Sequence, residues 1–533
     1  MTGSAAENAQ SPSVQPLTVP DTTVYDTLFA TLTPQDAGRV AIIDGSTGAE
    51  LTFGDLRDRV DAFAGWLAAQ GVASGDVVGM LAPNGPGFAI AFHGILRAGA
   101  TASTINSLYA PSEITNQLRD AAAVALVTVS VLLPNAQQAV AELGLAAERV
   151  VVLDGVEGHP SLADVLGAGQ PAPELSIDPA ARLAVLPYSS GTTGYPKGVM
   201  LTHRNLVANV MQCEQVGVTA DDVVLAVLPF FHIYGMTVLL NYALQQRARL
   251  VTMPRFDLAE FLRIIEQHRT SWVFIAPPIA VALAKHPAVD GVDTSAVKVV
   301  FSGAAPLSGA LAQAVADRLG CVVAQGYGLT ETSPVTHVID WRDASIDRSS
   351  IGRPVPGTQA RVIDSEGQDV PVPESGPSQP GELLIRGPQV MTGYLNNAEA
   401  TAATIDSDGW LHTGDLATVD SAGIYRIVDR VKELIKYRGY QVPPAVLEAV
   451  LLQHPEIADA AVVAALDEDG MEFPKAFVVR RPDSDLTAEA VMQYVAERVA
   501  AHEKVRAVEF IDVIPKSTSG KILRRELRDR PTA

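Results

Sequence analysis

The stretch "LTFGDLRDRVDAFAGWLAAQGV" (51–72), followed at once by "DVVGMLAP" (76–83), decides the fold class. The first segment carries apolar residues at helical spacing behind Thr52, a residue type suited to capping a helix. The second is a short apolar run, the mark of a strand buried on both faces. "AIAFHGILRAGATASTIN" (89–106) repeats the pattern, a helix running into a strand. Alternation of this kind predicts a mainly parallel sheet covered by helices. It continues through "VVLAVLP" (223–229), "SWVFIAP" (271–277), "VKVVFSG" (297–303) and "VVAQGYG" (322–328), each expected to be a strand.

Near residue 350 the texture changes. "IGRPVPGTQARVIDSEGQDVPVPESGPSQPGELLIRG" (351–387) is dense in Gly and Pro with short alternating runs. It reads as a small antiparallel β unit with a loose loop at 374–380. Helix and strand resume after 442 and fill about 100 residues, enough for a separate small α/β domain. The reading is therefore α/β: a body of two helix-covered sheet subdomains (about 25–182 and 183–345), a small β-barrel-like unit (346–428), and a small α+β domain at 429–533. Residues 1–24 read as a loose tail.

Composition narrows the function classes. The 533 residues are 47% hydrophobic and 19% charged, a globular composition with sizeable cores. The net charge of −21 leaves no basic face for nucleic acid, and any site for a polyanion must be positive against that average field. Cys213 and Cys321 are the two cysteines, which make no disulfide framework or zinc site; a cytoplasmic protein is expected. The first twenty residues lack Lys, Arg and any apolar run, so no secretory signal is expected, and no apolar stretch approaches the roughly 20 residues that span a bilayer.

The sharpest chemical signal is "YSSGTTGYPKGVMLTHRN" (188–205), which follows the apolar "LAVLP" (183–187). Ser189, Ser190, Gly191, Thr192, Thr193 and Gly194 offer hydroxyls and backbone N–H groups that can wrap a polyphosphate, and Lys197 adds a point charge. Tyr195 and Pro196 separate Gly194 from Lys197, so the segment is not a Walker A loop. A plain polar turn would look similar locally.

Six further blocks give this loop its context: "PFFHIYG" (229–235), "SGAAPL" (302–307), "QGYGLTETSP" (325–334), "GWLHTGD" (409–415), "DRVKELIKYRGYQVPP" (429–444) and "PKSTSGKILRREL" (515–527). In order and spacing they resemble the adenylate-forming superfamily of acyl-CoA synthetases, peptide-synthetase adenylation domains and luciferases. Within it they are most similar to the 4-coumarate/cinnamate–CoA ligases, and the likeness runs from about Tyr25 to Arg528.

The resemblance implies ATP and coenzyme A as co-substrates, Mg²⁺, and a carboxylic acid activated as acyl-AMP. It places the metal at Glu331 and phosphate contacts at Thr330. It places the ribose at Asp415 and Arg430, and the adenine among Ala304, Gln325, Gly326, Tyr327 and Gly328. Lys521 would bridge carboxylate and α-phosphate, and His232 would stand as a gate between acid and thiol. Lys436, Arg438, Gly439 and Gln441 would enter the site for thioester formation after the small mobile domain turns about Lys432. Arg438 stands where the family often has Lys, which leaves its contact open. The acyl pocket would be lined by Tyr234, Val238, Ile279, Phe301, Ala304, Gly328, Pro334 and Val335, a set whose flat apolar character suits a phenylpropenoate.

Other readings stay open on sequence. A medium- or long-chain fatty acyl-CoA synthetase and a stand-alone adenylation enzyme loading a separate carrier protein share these motifs, as does a luciferase-type oxygenase. A nucleotide-sensing binding protein would lack Lys521 or Glu331, and both are present. No nucleic acid or membrane partner is expected, and monomer and homodimer are both compatible.

Overall fold

The structure is a computed structural model that describes residues 15–189, 196–438, 440–467, 470–482, 484–517 and 520–530. The helix foreseen in the opening stretch spans Phe53–Ala69, and Thr52 caps it: its hydroxyl accepts from the Asp55 N–H at 3.1 Å. Phe53, Leu56, Val60, Phe63 and Leu67 form its buried stripe. Burying such side chains contributes about 1.5–3 kcal/mol each.

Two large sheets make the body. One has the strand order Gly393–Tyr394, Lys197–Thr202, Leu183–Val185, Thr101–Thr104, Val77–Leu81, Ala125–Thr128 and Val150–Val152, with Tyr188–Ser189 paired on Lys197–Thr202. The other runs Arg353–Pro354, Val335–Val338, Val322–Gly328, Val299–Ser302, Trp272–Ile275, Val223–Ala226, Arg249–Thr252, Val40–Asp44 and Glu50–Thr52. Their inner strands are parallel, from Val322–Gly328 across to Val40–Asp44 in the second.

The boundary expected at 182/183 does not divide these sheets. Leu183–Val185 and Lys197–Thr202 belong with the strands of the first sheet, while Val40–Asp44 and Glu50–Thr52 lie in the second. The chain thus exchanges strands between the sheets, because pairing is set by long-range register rather than by sequence order. Asn84 fastens the two sheets: its amide donates to Ala226 O and Leu228 O, and its Oδ1 accepts from the Phe230 N–H at 2.7 Å. That pins the segment leading into His232.

Gln359–Ile363, Gly381–Arg386, Leu411–Val419 and Tyr425–Arg430 form a four-stranded antiparallel sheet with its own apolar cluster. Beyond it the hairpin Ile435–Tyr437/Tyr440–Val442 and the sheet of Ile457–Leu466, Glu472–Arg480 and Ala507–Phe510 share a separate cluster with the helices Pro444–Leu451 and Ala488–Ala496. Among the described residues no helix is long and apolar enough to cross a membrane.

This C-terminal lobe touches the body at specific points. Lys285, on the body helix Pro277–Lys285, reaches Leu452 O and Ile457 O, both at 3.4 Å. Gly520 packs on Pro278 and Ala276.

Candidate functional site

A cavity of about 720 Å³ opens at the ends of both large sheets, beneath the C-terminal lobe. Lys197, Arg430, Lys432, Lys516 and Lys521 line it, against the carboxylates Glu113, Glu331 and Glu382. In a chain of net charge −21, this is the local cationic excess a polyanion needs.

At one wall, Ser189 ends the strand Tyr188–Ser189 and faces Lys197 in register across the hairpin. Ser190, Gly191, Thr192, Thr193 and Gly194, which the sequence assigns to phosphate binding, lie outside the described residues. Ser189, which precedes that segment, is tied to Glu331. Glu331 Oε1 accepts from Ser189 Oγ at 2.9 Å and from the Tyr394 hydroxyl at 2.8 Å. The Lys197 ammonium sits 4.8 Å from the centroid of the Tyr394 ring, a cation–π contact.

Tyr394 is a site residue that sequence reasoning missed. Its strand pairs with Val199 and Met200, nearly two hundred positions earlier. The only local hint is an aromatic after Gly393 in a polar turn.

Across the cavity, Asp415 is 3% exposed. Its Oδ2 accepts from the Tyr327 hydroxyl at 2.6 Å. Its Oδ1 lies 3.2 Å from Arg430 Nε, yet makes no hydrogen bond. Burial raises the Asp415 carboxyl above its usual range, opposed by Arg430, Tyr327 and Lys521. A buried carboxylate oxygen that accepts nothing is costly unless a ligand donor fills it. Tyr327 and Arg430 line the cavity beside it, with Thr413 and Gly414 of the same strand.

The apolar end gathers Tyr234, Val238, Phe301, Gly303, Ala304, Gly326, Gly328, Pro334 and Val335, with Val216 and Val338, which the sequence reading omitted. Tyr234 donates to Phe301 O at 3.3 Å. A Cβ at Gly303 would lie 2.7 Å from the Tyr234 ring, so glycine makes room for this aromatic. Val238 sits in a π-helix, Gly235–Tyr242, buried throughout. Such wider turns are rare and tend to occur at functional sites.

His232 lines the cavity at the start of this segment. The Tyr234 N–H donates to its Nδ1 at 3.3 Å, leaving Nε2 to carry the proton of the neutral ring. Enclosure by protein lowers its pKa to about 4, so it is neutral at pH 7.

Lys521 enters from the C-terminal lobe, with Lys516, Ser517 and Leu523. Burial foremost, and then Arg430, lower its pKa to about 8, while Asp415 and Glu433 act the other way.

Several sequence-assigned residues stand elsewhere. Gln325 does not line the cavity; its amide is spent on Leu307 and Arg348 backbone groups. Ile279 is buried in the main core without lining the cavity. Thr330, beside Glu331, does line it. Lys436, Arg438 and Gln441 lie on the lobe hairpin, off the cavity, and Gly439 between them is outside the described residues. Lys432 lines the cavity rim at the short turn Val431–Glu433 joining the four-stranded sheet to the lobe.

A shared family accounts for this arrangement. Residues 30–395 match the family model of AMP-binding enzymes, and residues 446–521 match that of the AMP-binding enzyme C-terminal domain. The chain is 41% identical over 525 residues to 4-coumarate–CoA ligase 5 of Oryza sativa subsp. japonica, covering 96% of this chain and 95% of that protein. Its fold resembles the anthranilate CoA ligase AuaEII in complex with anthranoyl-AMP, with a TM-score of 0.87 and 28% identity over 96% and 97% of the two chains. It also resembles MatB from Rhodopseudomonas palustris. The ATP-bound form gives a TM-score of 0.86 at 28% identity over 95% and 98% of the chains; the apo form gives 0.75 at 27% over the same shares. The chain belongs to the family of AMP-binding enzymes, with both the large AMP-binding part and the C-terminal domain of that family.

Proposed function

We propose that the protein is an ATP-dependent acid–CoA ligase acting on a phenylpropenoic acid such as cinnamate or 4-coumarate. In the first half-reaction a carboxylate oxygen attacks the α-phosphorus of ATP and pyrophosphate leaves, giving acyl-AMP. In the second, the thiolate of coenzyme A attacks the acyl carbonyl and AMP leaves, giving the thioester.

The first step must bring two anions into contact, which is unfavourable unless positioned positive charge offsets their repulsion. Lys521 is placed to do this from the lobe side and Lys197 from the loop side. The unbonded Asp415 Oδ1 suits a ribose hydroxyl, with Arg430 beside it. Tyr327, held by Asp415 through its hydroxyl, presents a ring wall for the adenine next to Gly326, Gly328 and Ala304.

Among the described residues no cluster of three or more metal-ligating side chains exists. A single carboxylate at Glu331, completed by phosphate oxygens, nevertheless fits Mg²⁺, which is usually held by one or two carboxylates and its substrate's phosphates. Bound there, the ion would neutralise phosphate charge. The residues themselves hold the Glu331 carboxylate in place through Ser189 and Tyr394.

His232, neutral at pH 7 and presenting Nε2–H, cannot act as a base at that nitrogen. It serves as a donor and as a wall between the acid and the thiol. The acid itself arrives ionised and needs no base.

The lobe turns between steps about Lys432, dividing the chain into a body up to about residue 428 and a lobe from 429. In the second orientation the hairpin carrying Lys436, Arg438, Gly439 and Gln441 replaces Lys521. The substrate assignment draws on the flat apolar end of the cavity, closed by Tyr234, Phe301 and Pro334, and on the 41% identity to a 4-coumarate–CoA ligase.

The observation that carries the proposal is one cavity holding Lys521, Glu331 and Arg430, with the unsatisfied Asp415 at its wall, beside an apolar pocket. The test is CoA-dependent AMP formation across cinnamate, 4-coumarate, benzoate and octanoate. The phenylpropenoates should give the highest kcat/KM; a preference for octanoate would overturn the substrate class.

A further inference from the structure

Lys521 is carried by a short turn whose two ends are fastened to the lobe by ion pairs. Five residues before it, Lys516 Nζ contacts Asp459 Oδ2 at 2.6 Å. Three residues after it, Arg524 Nη2 contacts both oxygens of Glu448, at 2.8 and 2.9 Å. Asp459 lies on the strand Ile457–Leu466, and Glu448 Oε1 also accepts from the Val462 N–H of that strand at 2.8 Å. Both fastenings therefore refer the turn to one strand of the lobe core.

The turn is also closed on itself. Ser517 N–H donates to Lys521 O at 2.8 Å, and Lys521 N–H donates to Ser517 Oγ at 3.1 Å. Leu523 N–H reaches Pro515 O at 2.9 Å. Leu527, in the helix Arg524–Arg528, is buried in a small cluster with Ala461, Val463, Phe477 and Ile514.

The Glu448–Arg524 pair is a poor device for stability alone. Its two side chains are 11% and 12% exposed, and burial pushes the Glu448 carboxyl up to about 7. Desolvation of this kind offsets most of the attraction, and well-packed apolar replacements of buried pairs are often neutral or stabilising. What such a pair supplies is placement: one guanidinium nitrogen, Nη2, is held between both carboxylate oxygens, and the Glu448 carboxylate is itself held by the Val462 N–H. A flexible lysine stem benefits from a base fixed in this way, because misplacing a reacting group by about 1 Å can cost roughly 100-fold in rate.

We propose that Glu448, Arg524, Asp459 and Lys516 form a brace that sets the Lys521 ammonium in the cavity, so that Glu448 and Asp459 are positioning residues for acyl-AMP formation. The inference rests on the role of Lys521 given above. It adds two carboxylates that touch neither nucleotide nor acid. The brace serves only the step that uses Lys521. The hairpin Ile435–Tyr437/Tyr440–Val442 shares the lobe core through the buried Ile435 and Val442, but its polar tie runs to a different residue, from the Lys436 N–H to Glu472 at 2.7 Å.

The test uses full-length Glu448→Gln, Asp459→Asn and the double variant, each assayed in two half-reactions. One is acyl-AMP formation from cinnamate and ATP in a single turnover; the other is CoA-dependent consumption of supplied cinnamoyl-AMP. The double variant should lose about 30-fold or more in the rate of acyl-AMP formation. Its KM for ATP and its thioester-forming rate should stay within about threefold, and Glu448→Asp should recover part of the loss. Asp459→Asn, at a partly exposed pair, should lose several-fold by itself, so a Glu448 variant that fails to fold leaves the outcome readable. Unchanged acyl-AMP formation, or equal loss in both half-reactions, would overturn the brace. A wild-type enzyme that makes no acyl-AMP would instead sink the reading of Lys521.

Discussion

Gly520 of the C-terminal lobe rests against Pro278 of the body so closely that a Cβ on Gly520 would lie 2.9 Å from Pro278 Cδ and 3.3 Å from Ala276 Cβ. Its φ of +83° adds a second demand for glycine, since side-chain-bearing residues seldom adopt that conformation. The lobe orientation that brings Lys521 to the cavity therefore depends on a residue with no side chain. Gly520→Ala carries backbone strain of about 1–2 kcal/mol as well as the clash. Acyl-AMP formation should fall about tenfold or more, while thioester formation from supplied acyl-AMP should change little. Single-turnover rates of the two half-reactions check this, and equal losses would contradict it.

Lys521→Ala removes the ammonium itself. Acyl-AMP formation should drop by about three orders of magnitude, with thioester formation from supplied acyl-AMP retained. Retention of full adenylation would exclude the bridging role.

The pH dependence follows from the same group. Burial and Arg430 hold Lys521 near 8 in the free enzyme, below its ordinary 10.5. In the proposed role the protonated form bridges two anions, so activity should be full below that pKa and lost as pH rises through it. kcat/KM for adenylation should bend downward above about pH 8 and approach a tenfold fall per unit. Bound ATP and carboxylate stabilise the ammonium, so the corresponding limb of kcat should lie at higher pH. A kcat/KM profile flat to pH 10 would contradict this.

At the opposite wall, Asp415 holds one oxygen against the Tyr327 hydroxyl and leaves the other without a hydrogen bond. Asp415→Ala removes the acceptor proposed for the ribose and frees Tyr327. The affinity for ATP should weaken by roughly 10- to 100-fold, from the loss of about 1.5–3 kcal/mol in charge-assisted hydrogen bonding. Calorimetric titration with a non-hydrolysable ATP analogue measures it, and unchanged affinity would place the ribose elsewhere.

Much of this arrangement was legible in the sequence for a physical reason. Val299–Ser302 and Trp272–Ile275 are short apolar runs between turn signals, and strands buried on both faces leave that trace. The exchange of strands between sheets was not legible, because the pairing of Ile42 with Leu250 carries no local signature. The π-helix Gly235–Tyr242 is buried all round, so no periodicity separates it from a strand or an α-helix. Tyr394 escaped notice because its partners, Glu331 and Lys197, are far away in the chain. The resemblance assigns Gln325 to the site through its motif and Ile279 by its position in the chain, but their side chains are taken up by backbone groups and by core packing respectively.

The apolar end of the cavity makes a prediction about ring hydroxyls. Val238 offers no hydrogen bond to a substrate phenol, and Tyr234, whose hydroxyl lies at the same end of the cavity, is committed to Phe301 O. Cinnamate should be used at least as well as 4-coumarate, with caffeate poorer. Val238→Ser should shift kcat/KM toward 4-coumarate by several-fold, about 1 kcal/mol for a neutral hydrogen bond. A tenfold preference of the wild type for caffeate would contradict this description of the pocket.

Attack of the carboxylate oxygen on the α-phosphorus of ATP is the step on which the proposed activity depends. It is tested most directly by incubating the enzyme with ATP, CoA and cinnamate labelled with ¹⁸O in both carboxyl oxygens, and weighing the products by mass spectrometry. AMP should carry one ¹⁸O and pyrophosphate none. ADP with labelled inorganic phosphate, or AMP without label, would contradict it.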